Sequence, residues 1–121
     1  MGSKSKKVGS GGIMDKIRIY ISGAIRNNPN YKKDFLIAKK SLEAKGFEVL
    51  SPIETVASRY NMPIKFCMLE SLSLLYRADC VTFITEGIKS KGMQIEHDIA
   101  EYCGIPIVNY RELLSYQREE K

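Results

Sequence analysis

The sequence predicts a single α/β domain built on a parallel sheet with helices on both faces. Three observations carry that prediction. The chain has 121 residues, which suits one compact core and not two. Its apolar pattern switches between period two and period 3.6 along the chain, in the order β-α-β-α-β-α-β-α. No internal repeat interrupts that alternation, which calls for crossover connections between parallel strands.

The elements follow in order. Ile17 to Ser22 is β-rich and alternating, a first strand, and Gly23 after it permits a tight turn. Asn27-Asn28-Pro29-Asn30 is a loop with Asn30 as a candidate N-cap. Tyr31 to Lys45 has helical spacing with Phe35, Ala38 and Leu42 inward, and Gly46 is a C-terminal stop. Phe47 to Leu50 is a short second strand, and residues 51–62 form an irregular connection. Pro63 opens a second helix that runs to about Arg77. Cys80 to Ile84 is a buried third strand, and a helix from Met93 to Cys103 is stopped by Gly104. Ile105 to Val108 is a fourth strand, and a polar helix starts at Tyr110. In open α/β sheets, ligands bind beyond the carboxyl ends of the strands, so residues 20–26, 51–61 and 85–96 should converge.

Composition narrows the function classes. Residues 1–13 read as an added leader, with Met14 as the natural start of a domain over 14–121. That leader carries Lys4, Lys6 and Lys7 and no acid, so the formal charge of +5 becomes 5 − 3 = +2 without it. A near-balanced domain argues against a nucleic-acid polymer as partner. No stretch approaches the ~18 apolar residues of a membrane span. Cys67, Cys80 and Cys103 match no paired motif and sit in apolar contexts, which reads as buried free thiols in a reducing cytoplasm. One histidine with no cysteine at ligand spacing argues against a metal site, and no cofactor is expected: the Gly23-Ala24-Ile25-Arg26 turn is not a dinucleotide fingerprint.

Glu96 is the residue that points to chemistry. In the helix around it, Ile95, Ile99 and Tyr102 share one side, with Met93, Ala100 and Cys103 on an adjoining stripe. Glu96 falls inside that apolar arc, whereas Gln94, His97, Asp98 and Glu101 lie on the polar side. A carboxylate on a buried face is costly unless it is paired or used. Ser90 and Gly92 at the helix start offer a small anion site suited to one phosphate. A carboxylate a turn or two away, aimed at a sugar, could attack an anomeric carbon or steady an oxocarbenium-like transition state. The alternative is a Glu paired structurally with Arg26 or Tyr20. Tyr20 could orient Glu96 or be ordinary core, and Arg26 could hold phosphate or be solvated. His97 reads as a surface residue.

Three segments together resemble the nucleoside 2-deoxyribosyltransferase superfamily. They are Ile19-Tyr20-Ile21-Ser22-Gly23-Ala24-Ile25-Arg26, Leu72 to Val81 with Asp79, and Ser90-Lys91-Gly92-Met93-Gln94-Ile95-Glu96. Within that superfamily the chain is similar to the small DUF4406 proteins, with the 2′-deoxynucleoside 5′-monophosphate N-glycosidases as relatives. The resemblance implies a flavodoxin-like, three-layer sandwich with a parallel sheet of four to five strands, and cleavage or transfer at an N-glycosidic bond. It implies Glu96 as nucleophile, Tyr20 beside it, and Gly23, Arg26, Ser90 and Gly92 on the phosphate side of a nucleoside or nucleotide. It also implies a homo-oligomer. Ser71 stands where the family's active members carry an Asp, and is the candidate for that substrate contact. Glu70 is next to it, but one residue along a helix turns a side chain by about 100°. A non-catalytic nucleotide-binding module is the competing reading.

Overall fold

The computed structural model describes residues 16–88 and 90–117. The expected leader, and the far end of the chain, lie outside the described residues. The first strand, β1 (Arg18–Ser22), leads to α1 (Tyr31–Ala44) and β2 (Glu48–Leu50). A 3-10 turn (Pro52–Glu54), α2 (Val56–Arg59) and α3 (Ile64–Arg77) connect to β3 (Cys80–Phe83), followed by α4 (Lys91–Cys103) and α5 (Tyr110–Leu114). The three strands pair in parallel in the order β2-β1-β3. Ile19 lies opposite both Val49 and Cys80, and Tyr20 opposite Leu50 and Val81. The chain winds outward from β1 to β2, then returns across β1 to β3, so the switch in strand order falls beside the carboxyl end of β1.

The centre of the sheet explains the two cores. Ile19, Tyr20, Ile21 and Ser22 are all fully buried, and alternation sends them to opposite faces. Ile19 and Ile21 pack under α1 against Phe35, Ala38 and Leu42, with Leu113 of α5. Tyr20 packs with Leu50, Leu75, Val81 and Ala100 beneath α3 and α4. The inward stripe expected for the first helix is the one observed. Gly46 and Gly104 take positive φ of 96° and 75° at the ends of α1 and α4, as C-terminal stops should.

Several expectations need correction. Residues 105–108 form a single parallel bridge, Val81 with Ile107, in place of a fourth strand. Pro106 has no N–H to donate, and the contact rests on Val81 N–H to the Pro106 carbonyl and Val108 N–H to the Val81 carbonyl, each 2.9 Å. Asn30 occupies the N-cap position of α1 without a side-chain bond. Of the three thiols only Cys80 is buried, and Cys103 is exposed. The buried stripe of α4 is Met93, Glu96 and Ala100, whereas Tyr102 is 93% exposed. The apolar arc is therefore split, and Glu96 lies on the half that meets the sheet. Residues 51–62 are more ordered than expected: Thr55 caps α2 by accepting from Ser58 N–H.

Candidate functional site

The carboxyl end of β1 and the first half of α4 build the site together. Tyr20 and Ser22, two residues apart on one strand, face the same side of the sheet and meet Glu96 descending from α4. The Tyr20 phenol donates to Glu96 Oε2 at 2.6 Å, and the Ser22 hydroxyl donates to Oε1 at 2.6 Å. Hydrogen bonds this short between a hydroxyl and a carboxylate are charge-assisted. Ser71 of α3 is buried and lines the same cleft as Tyr20, and it works against the rise in the Tyr20 phenol's pKa. Glu96 is 6% exposed, and burial pushes its carboxyl above the ordinary range while the Ser22 and Tyr20 hydroxyls pull it back down. Burial, then the Glu96 charge, holds Tyr20 well above the usual phenol value, so it remains a protonated donor.

Glu96 forms one wall of a cleft of about 460 Å³, within the span of small-molecule sites, roughly 300–1,000 Å³. Each residue named as a candidate from the sequence lines this cleft: Tyr20, Gly23, Arg26, Ser71, Ser90, Gly92 and Glu96. Ser90 is the N-cap of α4, its oxygen accepting from Met93 N–H at 3.2 Å, which leaves its own hydrogen to donate. Lys91 also lines the cleft, a second cation that sequence reasoning passed over between Ser90 and Gly92. Met62, Ile64, Cys67 and Met68 give the cleft an apolar stretch, with Ser58 and Asn61 beside it.

The two glycines differ in why they are glycine. A Cβ on Gly23 would meet Ile84 Cγ1 at 2.7 Å and Thr85 Oγ1 at 3.1 Å, so the turn needs glycine to pass the end of β3. A Cβ on Gly92 would meet nothing closer than Met68 Sδ at 3.8 Å, so packing alone does not require glycine there. Glu70 does not reach the cleft: its carboxylate accepts from Ala57 N–H at 3.0 Å and fastens α2 to α3. Among the described residues lining the cleft, Glu96 is the one carboxylate. A larger cavity of about 740 Å³ lies beyond β3, between residues 84–88, His97 and α5. It is open, and none of the hydroxyl-bonded carboxylate chemistry reaches it.

Sequence reasoning missed Ser22 as a partner of Glu96, although alternation from Tyr20 places it on the same face. It read His97 as a surface group. The ring is half-buried, with its centroid 5.9 Å from that of Phe83. No helix among the described residues is long and apolar enough to cross a membrane. His97, Asp98 and Glu101 lie close together on the outer side of α4, and exposed groups of this kind are common without an ion.

Comparison with known proteins agrees with this architecture. A solved structure of a 2-deoxyribosyltransferase from the psychrotolerant bacterium Bacillus psychrosaccharolyticus is similar, with a TM-score of 0.56 and 20% identity over 76% of this chain and 70% of that one. At that identity the likeness speaks for the fold. A search of curated proteins by sequence finds no match. The family model described as a domain of unknown function (DUF4406) matches residues 17–109, from the start of β1 through the Glu96 helix to the cap of α5. The chain therefore belongs to the DUF4406 family, on a 2-deoxyribosyltransferase-like α/β fold.

Proposed function

We propose that the protein cleaves or transfers at the N-glycosidic bond of a (deoxy)nucleoside 5′-monophosphate, with Glu96 as nucleophile. The observation that carries this reading is a nearly buried carboxylate with a hydroxyl donor on each oxygen, set into the wall of a cleft that also holds Arg26, Ser90 and Lys91. The cations and the first turn of α4 suit a phosphate. The sugar then lies between that end and Glu96, and the base against Met62, Ile64 and Met68. Glu96 attacks C1′, the C1′–N bond breaks with its electron pair leaving on the base, and water or a second base resolves the glycosyl ester. Tyr20 donates to Glu96 and orients it. The three free cysteines suit a reducing cytoplasm. Exposed apolar side chains on α3 and α4, among them Leu69 and Tyr102, support assembly as a homo-oligomer.

The test is incubation with a panel of deoxy- and ribonucleoside monophosphates, following free base by chromatography. Wild type should release base from at least one of them, and Glu96→Ala should lose that release by a factor on the order of 10⁴ or more. No release from any of the panel sinks the glycosidic reading.

A second reading has its own observation. Ser71 and Glu70 leave the cleft without a second acid to protonate the departing base, so the leaving group would draw its proton from water. A nucleotide-binding module without turnover would show binding of the same panel by calorimetry, with no base released by wild type or by Glu96→Ala.

A further inference from the structure

Glu96 has two oxygens, and the site treats them differently. Oε2 is bonded to Tyr20, which forms part of the cleft wall. Oε1 is bonded to Ser22, which is fully buried and lies outside that lining. The two donors come from one strand, two residues apart, so the backbone of β1 sends both side chains to the face that meets Glu96. β1 is the central strand, hydrogen-bonded on both sides. The carboxylate is therefore held at both oxygens from the central strand of the sheet.

We propose that Ser22 is a positioning residue for Glu96: it holds Oε1 in the sheet, so that Oε2 is the oxygen presented to C1′. The inference rests on the glycosidic reading above and deepens it. In the first step Oε2 bonds C1′ while the C1′–N pair leaves with the base, and Oε1 becomes the carbonyl oxygen of the glycosyl ester. The Ser22 hydroxyl stays bonded to that oxygen throughout. In the second step water attacks C1′, loses a proton to solvent, and the C1′–Oε2 pair returns to Glu96. The charge restored to the carboxylate is then met at Oε1 by Ser22. A residue that grips the deep oxygen thus serves both the approach of the nucleophile and its departure.

Ser22→Ala tests this, since it removes one oxygen and adds no bulk. Two readouts are used on the full chain. The first is the titration of Glu96, followed by NMR of carboxyl-carbon-labelled glutamate and assigned by its loss in Glu96→Gln. Besides Ser22, Tyr20 is bonded to Glu96, and the titratable or polar groups sharing its cleft include Cys67 and Ser71 from α3, Arg26 from the β1 turn and Lys91 from α4; none of them is altered. Losing a donor to the ionised form should raise the Glu96 midpoint in Ser22→Ala relative to wild type. The second is the kinetics of base release, where kcat should fall about 10- to 100-fold with no rise in KM, the scale of one hydrogen bond to a charged group. A Glu96 midpoint unchanged by Ser22→Ala overturns the proposal, as does a rise in KM with kcat unchanged. If no nucleotide loses its base with wild type, the glycosidic reading falls separately, and the grip of Ser22 on Glu96 is still decided by the titration.

Discussion

The two faces of β1 are made by alternate residues of one five-residue strand, and they do different work. Toward α1 the strand shows Ile19 and Ile21, which pack into an apolar cluster. Toward α4 it shows Tyr20 and Ser22, which meet Glu96. One face lowers the free energy of the fold by removing apolar surface from water. The other buries a carboxylate, which costs stability unless its hydrogen bonds are complete. A protein selected for stability alone would repeat the first face on both sides, which supports the proposal that the second face carries the function.

This contrast predicts that substitutions on the α1 side change stability without changing the site. Phe35→Ala should have the largest effect. Phe35 is 1% exposed, and its loss should destabilise by about 3–5 kcal/mol, read from the urea midpoint. Nucleotide binding per folded molecule should be unchanged. A specific loss of binding at full folding would break the division between faces.

Gly23→Ala comes next and tests the boundary between the faces. The added Cβ would sit 2.7 Å from Ile84 Cγ1, and overpacking of this kind costs about 1–3 kcal/mol. The expected result is a lower melting temperature, with nucleotide affinity reduced only as far as the β1 turn is displaced. If affinity collapses while the melting temperature holds, Gly23 acts on the ligand and not on the fold.

Glu96→Gln should move stability in the opposite direction. The folded carboxyl titrates above its ordinary value of 4.5, through burial, so the folded state holds the proton more tightly than the unfolded one. Stability is then lost as pH rises through the interval between the ordinary value and the raised one. Gln carries no such charge. Thermal melts across roughly pH 4 to 8 should show the variant close to wild type at the acid end and more stable at neutral pH, while base release is lost. Equal melting temperatures at neutral pH would mean that the two hydroxyls offset the whole cost of burial.

How much of this was legible follows from which patterns have one physical reading. The α1 stripe of Phe35, Ala38 and Leu42 has a single apolar face, and helical period located it. Glu96 was visible as an acid within an apolar arc, and Tyr20 as an alternate residue on β1. The arc of α4 misled in part, because Tyr102 is 93% exposed and Ile95 is exposed at the cleft, so neither meets the sheet. Periodicity reports that residues share a side, not what that side meets. The fourth strand failed at Pro106, where apolar content suggested pairing that a missing N–H cuts to one bridge. Ser22 was overlooked although it was placed in the first strand, where period two from Tyr20 aims it at Glu96.

Gly92→Ala should have the smallest effect on the fold and is the sharpest probe of the proposed site. Gly92 lies in the first turn of α4 at a backbone conformation open to any residue, and an added methyl finds only ordinary contacts with Met68 and Ser90. Helix propensity favours alanine by at most about 1 kcal/mol, so the melting temperature should hold or rise slightly. Nothing in the packing of the free protein therefore asks for glycine here. A ligand would: a phosphate resting against the first turn needs close approach to the backbone, and a methyl group there holds it off. Calorimetry with a nucleoside monophosphate should show binding weakened about tenfold or more, equivalent to about 1.4 kcal/mol, with the corresponding nucleoside bound equally by both proteins. Equal loss for nucleoside and nucleotide would place the sugar, not the phosphate, against Gly92. No loss for either would move the phosphate to Arg26 and away from the helix, leaving Glu96 to face a ligand held from the β1 turn alone.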